Sequence, residues 1–175
     1  MDRIIIMGYM GSGKTTLGKA LSKALDMPFY DLDWYIESRM RKTIKQLFEE
    51  RGEEGFRQIE CHMLHEVAEF EHVILSCGGG TPCFFDNIDY MNRQGETVFL
   101  KASPEVLYGH LKMGRTVRPL LLGKTPEEVK AFIRTQLKER EPFYTQAKHT
   151  LDVSLMDSYG KIQATVDQLK VLLNL

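Results

Sequence analysis

The 175-residue chain has no long hydrophobic run. Nothing in it approaches the roughly 20 apolar residues that a membrane-spanning helix needs. Neither sign of charge dominates, since 23 Lys and Arg stand against 24 Asp and Glu. Net charge therefore gives no ground for a nucleic-acid partner, and arginine clusters matter locally instead. Cysteine is scarce and odd in number. Cys61, Cys77 and Cys83 lack paired metal spacing and read as reduced thiols of a cytoplasmic protein. Cys61, His62 and His65 lie close together, but one side of an ordinary helix accounts for them, with too few ligands nearby for zinc. The apolar run near the first residue, Ile4–Met7, is too short for a secretory signal and leads straight into glycines. Repeats, low-complexity stretches and linkers are lacking too, so the length suits one domain over 1–175.

What is present alternates. Short β-rich runs over Arg3–Met7, Pro28–Asp31, His72–Ser76, Glu96–Leu100 and Thr150–Val153 read as strands. Between them, Lys14–Leu25, Asp33–Met40, Ile44–Arg51, Glu54–Phe70, Phe85–Arg93, Pro104–Lys112, Pro126–Ala147 and Ser158–Leu173 read as helices. Ser103-Pro104 and Thr125-Pro126 place a hydroxyl at the N-cap and proline at the first helical position. Thr125 to Glu128 also has capping-box spacing. The alternation implies an α/β fold, a parallel sheet with helices on both faces, with ligands at the carboxyl ends of the strands.

The first strand runs into Gly8-Tyr9-Met10-Gly11-Ser12-Gly13-Lys14-Thr15-Thr16. This fits the phosphate-binding pattern GxxxxGK[ST] without a gap. Successive backbone N–H groups must point inward around a phosphate, and the following helix aims its N-terminus at the same anion. Lys14 suits the β- and γ-phosphates and the Thr15 hydroxyl suits Mg²⁺. A glycine-rich turn that merely caps a helix is the poorer reading, because a strand precedes the loop and a helix follows it. The loop alone indicates a nucleoside triphosphate without separating kinase from ATPase or GTPase.

Asp31 and Asp33 close the second strand two residues apart, so both carboxylates can lean over the loop, one toward Mg²⁺ and one as proton acceptor. An acidic helix cap before Trp34 explains the pair equally well. Arg57 and Glu60 share a helical face, as partners in a site or as a plain surface ion pair. The strand ending in Ser76 runs through Cys77 into Gly78-Gly79-Gly80, which suggests backbone approaching a ligand closely.

In this order, the phosphate loop, the Asp-x-Asp, the run Gly52-Glu53-x-x-Phe56-Arg57-x-x-Glu60 and the triple glycine resemble the shikimate kinases. Arg118-Pro119-Leu120-Leu121 and Arg140-Glu141-Pro142-Phe143-Tyr144 agree. The resemblance covers nearly the whole chain. It implies a three-layer P-loop kinase fold with a five-stranded parallel sheet and a mobile lid, here about 111–124. It also implies phosphoryl transfer from ATP to the 3-hydroxyl of shikimate, a step toward chorismate and the aromatic amino acids. By resemblance, Gly11, Ser12, Gly13, Lys14, Thr15 and Thr16 cradle the phosphates, with Thr15 on Mg²⁺ and Asp31 in its outer shell. Ser76 could act through the same metal-bound water. Arg57 and Arg140 clamp the shikimate carboxylate, Asp33 takes the hydroxyls and the proton, and Gly79 offers backbone contact. Arg118 brings positive charge to the transferring phosphoryl group when the lid closes.

The chain departs from the family pattern at Leu111, where many relatives carry a basic residue that Lys112 or Arg115 would have to replace. It departs again at Cys77, where an aliphatic residue is common. The stretch expected to contact adenine, Leu155–Gly160, has no arginine. A gluconate or nucleoside monophosphate kinase shares the phosphate loop, but Phe56-Arg57-x-x-Glu60 and Arg140-x-Pro142-x-Tyr144 favour shikimate. A nucleotide switch fits less well, given the candidate acceptor ligands. The expected partners are thus ATP and shikimate, with no nucleic acid and no membrane, and a monomer able to complete its own site.

Overall fold

The computed structural model describes residues 2–114 and 122–175. The five strands among the described residues are β1 (Arg3–Gly8), β2 (Phe29–Asp31), β3 (Val73–Ser76), β4 (Glu96–Lys101) and β5 (His149–Asp152). They form one sheet in the order β2-β3-β1-β4-β5, with every pairing parallel. The seven helices among the described residues are α1 (Lys14–Leu25), α2 (Leu32–Met40), α3 (Ile44–Val67), α4 (Asn87–Gln94), α5 (Pro104–Met113), α6 (Pro126–Tyr144) and α7 (Tyr159–Leu172). Each strand end falls within one residue of its sequence expectation.

The alternation of side chains along β1 generates both cores. Ile4 and Ile6 face Leu17 and Leu21 of α1 and Val166 and Leu169 of α7. Ile5 and Met7 face the other way, into a cluster with Ile36, Leu64, Met91, Leu107 and Ile133 from α2 to α6. Both faces of the central strand are covered, which is the three-layer arrangement. A parallel sheet sends all its carboxyl ends to one edge, and the loops after β1, β2 and β3 meet there.

Helix starts follow their caps. Ser103, Thr125 and Ser158 each accept a hydrogen bond from a backbone N–H in the first turn of α5, α6 and α7. Thr43 and Gln46 form a reciprocal capping box on α3. That helix is bent where the sequence suggests two helices, because Gly52 breaks it at φ 69° and ψ −179°. Only glycine occupies that region without strain. The bend lets the second half of α3 turn Phe56, Arg57 and Glu60 inward. A short 3₁₀ turn, Thr81–Cys83, follows the triple glycine and has no counterpart in the sequence expectation.

Open space surrounds Gly52, so Gly52→Ala tests backbone strain alone. It should destabilise the protein by about 1–3 kcal/mol. Each kcal/mol lowers the melting temperature by about 2–4 °C in a protein of this size, and an unchanged melting curve would contradict the assignment.

Candidate active site

A cleft of about 590 Å³ opens at the carboxyl edge of the sheet. Its floor is the loop between β1 and α1. Gly13 stands at the N-cap of α1 with no side-chain cap, and the first turn carries no acidic residue. The leading N–H groups of that helix are therefore left for an anion. Lys14 curls back over the loop, its Nζ donating to the carbonyls of Gly8 (2.8 Å) and Tyr9 (3.0 Å). Gly11, Gly13, Thr15 and Thr16 line the cleft with it. Ser12 is placed differently. Its hydroxyl is buried without a partner among the described residues, and its N–H donates to Tyr9 O.

Asp31 caps a helix and also reaches the phosphate loop. One carboxylate oxygen accepts from Trp34 N and caps α2, while the other accepts from Thr15 Oγ1 at 3.2 Å. The two aspartates do not share a strand face as expected. β2 ends at Asp31, and Asp33 lies in the first turn of α2, yet both side chains reach the cleft.

Arg57 and Glu60 are not a surface pair. Their side chains are 10% and 1% exposed, and Arg57 Nη1 donates to Glu60 Oε1 at 2.9 Å. The other Glu60 oxygen accepts from Thr81 Oγ1 at 2.9 Å. The Arg57 guanidinium lies 4.2 Å from the centre of the Phe84 ring. Gly80 is glycine for a packing reason, since a Cβ there would sit 2.5 Å from Arg57 Nη2. Arg140 enters from α6, stacked over Tyr9, and lines the same cleft as Arg57, Asp33 and Gly79.

Supporting contacts escaped the sequence. Tyr144 Oη donates to Gly79 O at 2.5 Å, and Asn87 Nδ2 donates to Thr81 O at 2.9 Å. Tyr144 stands four residues after Arg140 on α6, a spacing that puts both on one face and was the available signal. Nothing local marks Asn87. Cys77 is buried and hydrogen-bonded to Met91 Sδ, and burial pushes its thiol well above the ordinary range. His65 stacks on Tyr90 with ring centres 3.7 Å apart, a packing role.

Leu111 is core rather than cleft, in the last turn of α5. The Lys112 ammonium lies over the Tyr108 ring. Arg115, Arg118 and the rest of 115–121, which make up half of the expected lid, lie outside the described residues. No helix among the described residues is long and apolar enough to cross a membrane.

Charge is crowded here. Burial pulls Lys14 down to about 8, with Asp33 and Asp31 opposing the shift. Burial pushes Asp33 up to about 6, reinforced by the negative charges of Asp31 and Glu60 and opposed by Lys14.

Comparison with known proteins identifies the family. A family model described as shikimate kinase matches residues 10–170. The chain belongs to the shikimate kinase family. A shikimate kinase of Phocaeicola vulgatus is 54% identical over 99% of both chains. The crystal structure of the Bacteroides thetaiotaomicron shikimate kinase superposes with a TM-score of 0.95 at 52% identity, covering 99% of this chain and 98% of that one. A shikimate kinase from Acinetobacter baumannii, solved in complex with shikimate, gives a TM-score of 0.83 at 30% identity, with 99% and 94% covered. The fold is thus the P-loop kinase fold of shikimate kinases. The activity is that of a phosphotransferase acting on shikimate in aromatic biosynthesis.

Because its native pKa is raised, Asp33 costs stability once ionised. Between the ordinary carboxylate value and about 6 the native state holds the proton more tightly than the unfolded state, so this contribution falls as pH rises. Asp33→Asn should therefore melt higher than the parent at pH 7.5, by on the order of 1 kcal/mol after solvent screening. The advantage should vanish below pH 4. Equal melting temperatures at both pH values would remove the desolvation argument.

Proposed function

We infer that this cleft transfers the γ-phosphoryl group of ATP to the 3-hydroxyl of shikimate through the residues named above. The observation that carries the reading is the meeting of Arg57, Arg140 and Asp33 with the Lys14 loop in one cleft. Shikimate offers one carboxylate and three hydroxyls. Two guanidinium groups answer the first and the Asp33 carboxylate the second, and Gly79 supplies backbone beside them.

On the nucleotide side, Gly11 to Thr16 cradle the phosphates, chiefly through backbone and the open start of α1. Lys14 exchanges its two carbonyl partners for phosphate oxygens. The donor set suits Mg²⁺: the Thr15 hydroxyl and Asp31 carboxylate are hard oxygen ligands held together. When bound, the ion supplies charge neutralisation for the transferring group, with Thr15 as ligand and Asp31 behind its water shell. Asp33 takes the proton of the attacking 3-hydroxyl, and Lys14 and Arg118 balance the charge that develops on the phosphoryl oxygens. The lid, about 111–124, keeps water from competing as acceptor.

The whole chain serves as one domain, and Arg57, Arg140, Asp33 and the Lys14 loop of one chain already line one cleft, so a monomer is able to complete its own site. ATP as co-substrate and three free thiols support a cytoplasmic setting.

An ADP-release assay with Mg-ATP and shikimate, gluconate or a nucleoside monophosphate tests the reading. Shikimate alone should stimulate release, with stoichiometric shikimate 3-phosphate, and stimulation by another acceptor would move the assignment. Arg140→Ala should raise the KM for shikimate at least tenfold through loss of a charge-assisted bond, while ATP affinity stays within about twofold. Unchanged shikimate affinity by calorimetry would end its clamp role. The pH profile of kcat/KM should be bell-shaped. It should rise near 6 as Asp33 becomes able to accept a proton and fall near 8 as Lys14 loses its charge. A flat profile across this range would exclude both roles.

A further inference from the structure

His110, in the last turn of α5, touches two segments that are otherwise far apart in sequence. Its Nδ1 lies 2.7 Å from Gly11 O in the phosphate loop, and its Nε2 lies 2.8 Å from Met156 N in the segment between β5 and α7. The partners fix the chemistry. A carbonyl oxygen only accepts, so Nδ1 carries the proton, and a backbone N–H only donates, so Nε2 is bare. The ring is thus neutral in a single tautomer and both its nitrogens are engaged.

A second contact joins the same segments. The Met156 methyl fills the space beside Gly13, 2.2 Å from where a Cβ would stand. Met156 is buried, and it lines the cleft together with His110, Met113 and Gly114. The β5–α7 segment is therefore fastened to the phosphate loop twice, by a side chain on Gly13 and through an imidazole on Gly11.

We propose that His110 is a positioning residue for the nucleotide. It sets the distance between the phosphate loop and the wall formed by Met156, and so fixes where the nucleoside part of ATP leaves the loop. The proposal rests on ATP occupying that loop. It assigns a role to a side chain that contributes no charge to the phosphates and bridges backbone atoms of two segments.

The test uses the full-length protein and Mg-ATP. Removing both bonds in His110→Ala should raise the KM for ATP about tenfold, the equivalent of one ordinary hydrogen bond lost, while the KM for shikimate moves less than twofold. His110→Asn keeps a donor near the Nδ1 position and His110→Gln keeps an acceptor near the Nε2 position, so each should recover part of the loss. Equal KM values for ATP in the parent and all three variants would overturn the proposal, as would a parallel loss of affinity for both substrates. Wild-type protein that binds no Mg-ATP by calorimetry would instead overturn the nucleotide reading beneath it. If His110→Ala does not fold, ¹⁵N chemical shifts of the wild-type imidazole at pH 8 decide. A neutral ring protonated at Nδ1 is expected, and a ring protonated at Nε2 would refute the bridge.

Discussion

Burying charge at one edge of the sheet is the constraint to which the other features of the cleft answer. Asp31, Asp33 and Glu60 face Lys14, Arg57 and Arg140 across one cleft. An isolated charge taken out of water costs several kcal/mol unless it is paired and hydrogen-bonded. Each of the most enclosed groups has a specific remedy. Glu60 is held by Arg57 and Thr81, and Lys14 by two loop carbonyls. Asp33 has no such partner among the described residues, and burial pushes its carboxyl up to about 6. The group with the least compensation is the one assigned proton transfer. That is physically consistent, because a carboxylate fully satisfied by arginine is a poor base.

The substrate side depends on elements that carry no catalytic chemistry. Glu60 fixes the rotamer of Arg57 and at the same time ties down Thr81. Asn87 holds the Thr81 carbonyl, and Tyr144 holds that of Gly79. The triple-glycine loop is thus gripped from α3, α4 and α6 together. Two arginines can clamp one small carboxylate only if their separation is fixed, and Arg57 and Arg140 arrive on different helices. The shared grip on Gly78–Thr81 locks those helices to one another.

Much of this was legible in the sequence wherever the signal was local. The strands declared themselves by β-branched runs, the helices by their caps, and the phosphate loop by spacing. The break in α3 was visible as Gly52. What stayed hidden depended on tertiary context. Strand periodicity put Asp31 and Asp33 on one face, whereas β2 ends early and a helix start presents Asp33. Helical spacing paired Arg57 with Glu60 but carried no information on burial, which turns a weak surface pair into a structural node. Tyr144 belonged to a motif without a visible role. His110 sat in an apolar helix and looked unremarkable, since its partners are backbone atoms that no side-chain pattern reveals.

The two ends of the cleft are therefore held by interactions of different strength. Buried charged pairs and charge-assisted bonds secure the acceptor side, and removing one partner of such a pair costs about 3–5 kcal/mol. The nucleotide side is closed by neutral bonds to backbone, each worth about 0.5–1.5 kcal/mol, and by a single flexible methionine against Gly13. Local opening follows the weakest set of contacts. Opening between the phosphate loop and the β5–α7 segment is then cheaper than any disturbance of the Arg57–Glu60–Thr81 network. A kinase gains from that asymmetry. The acceptor must be discriminated by a rigid geometry that rejects related hydroxy acids. The nucleotide is recognised mostly by phosphates that every triphosphate shares, and its product must leave after each turnover.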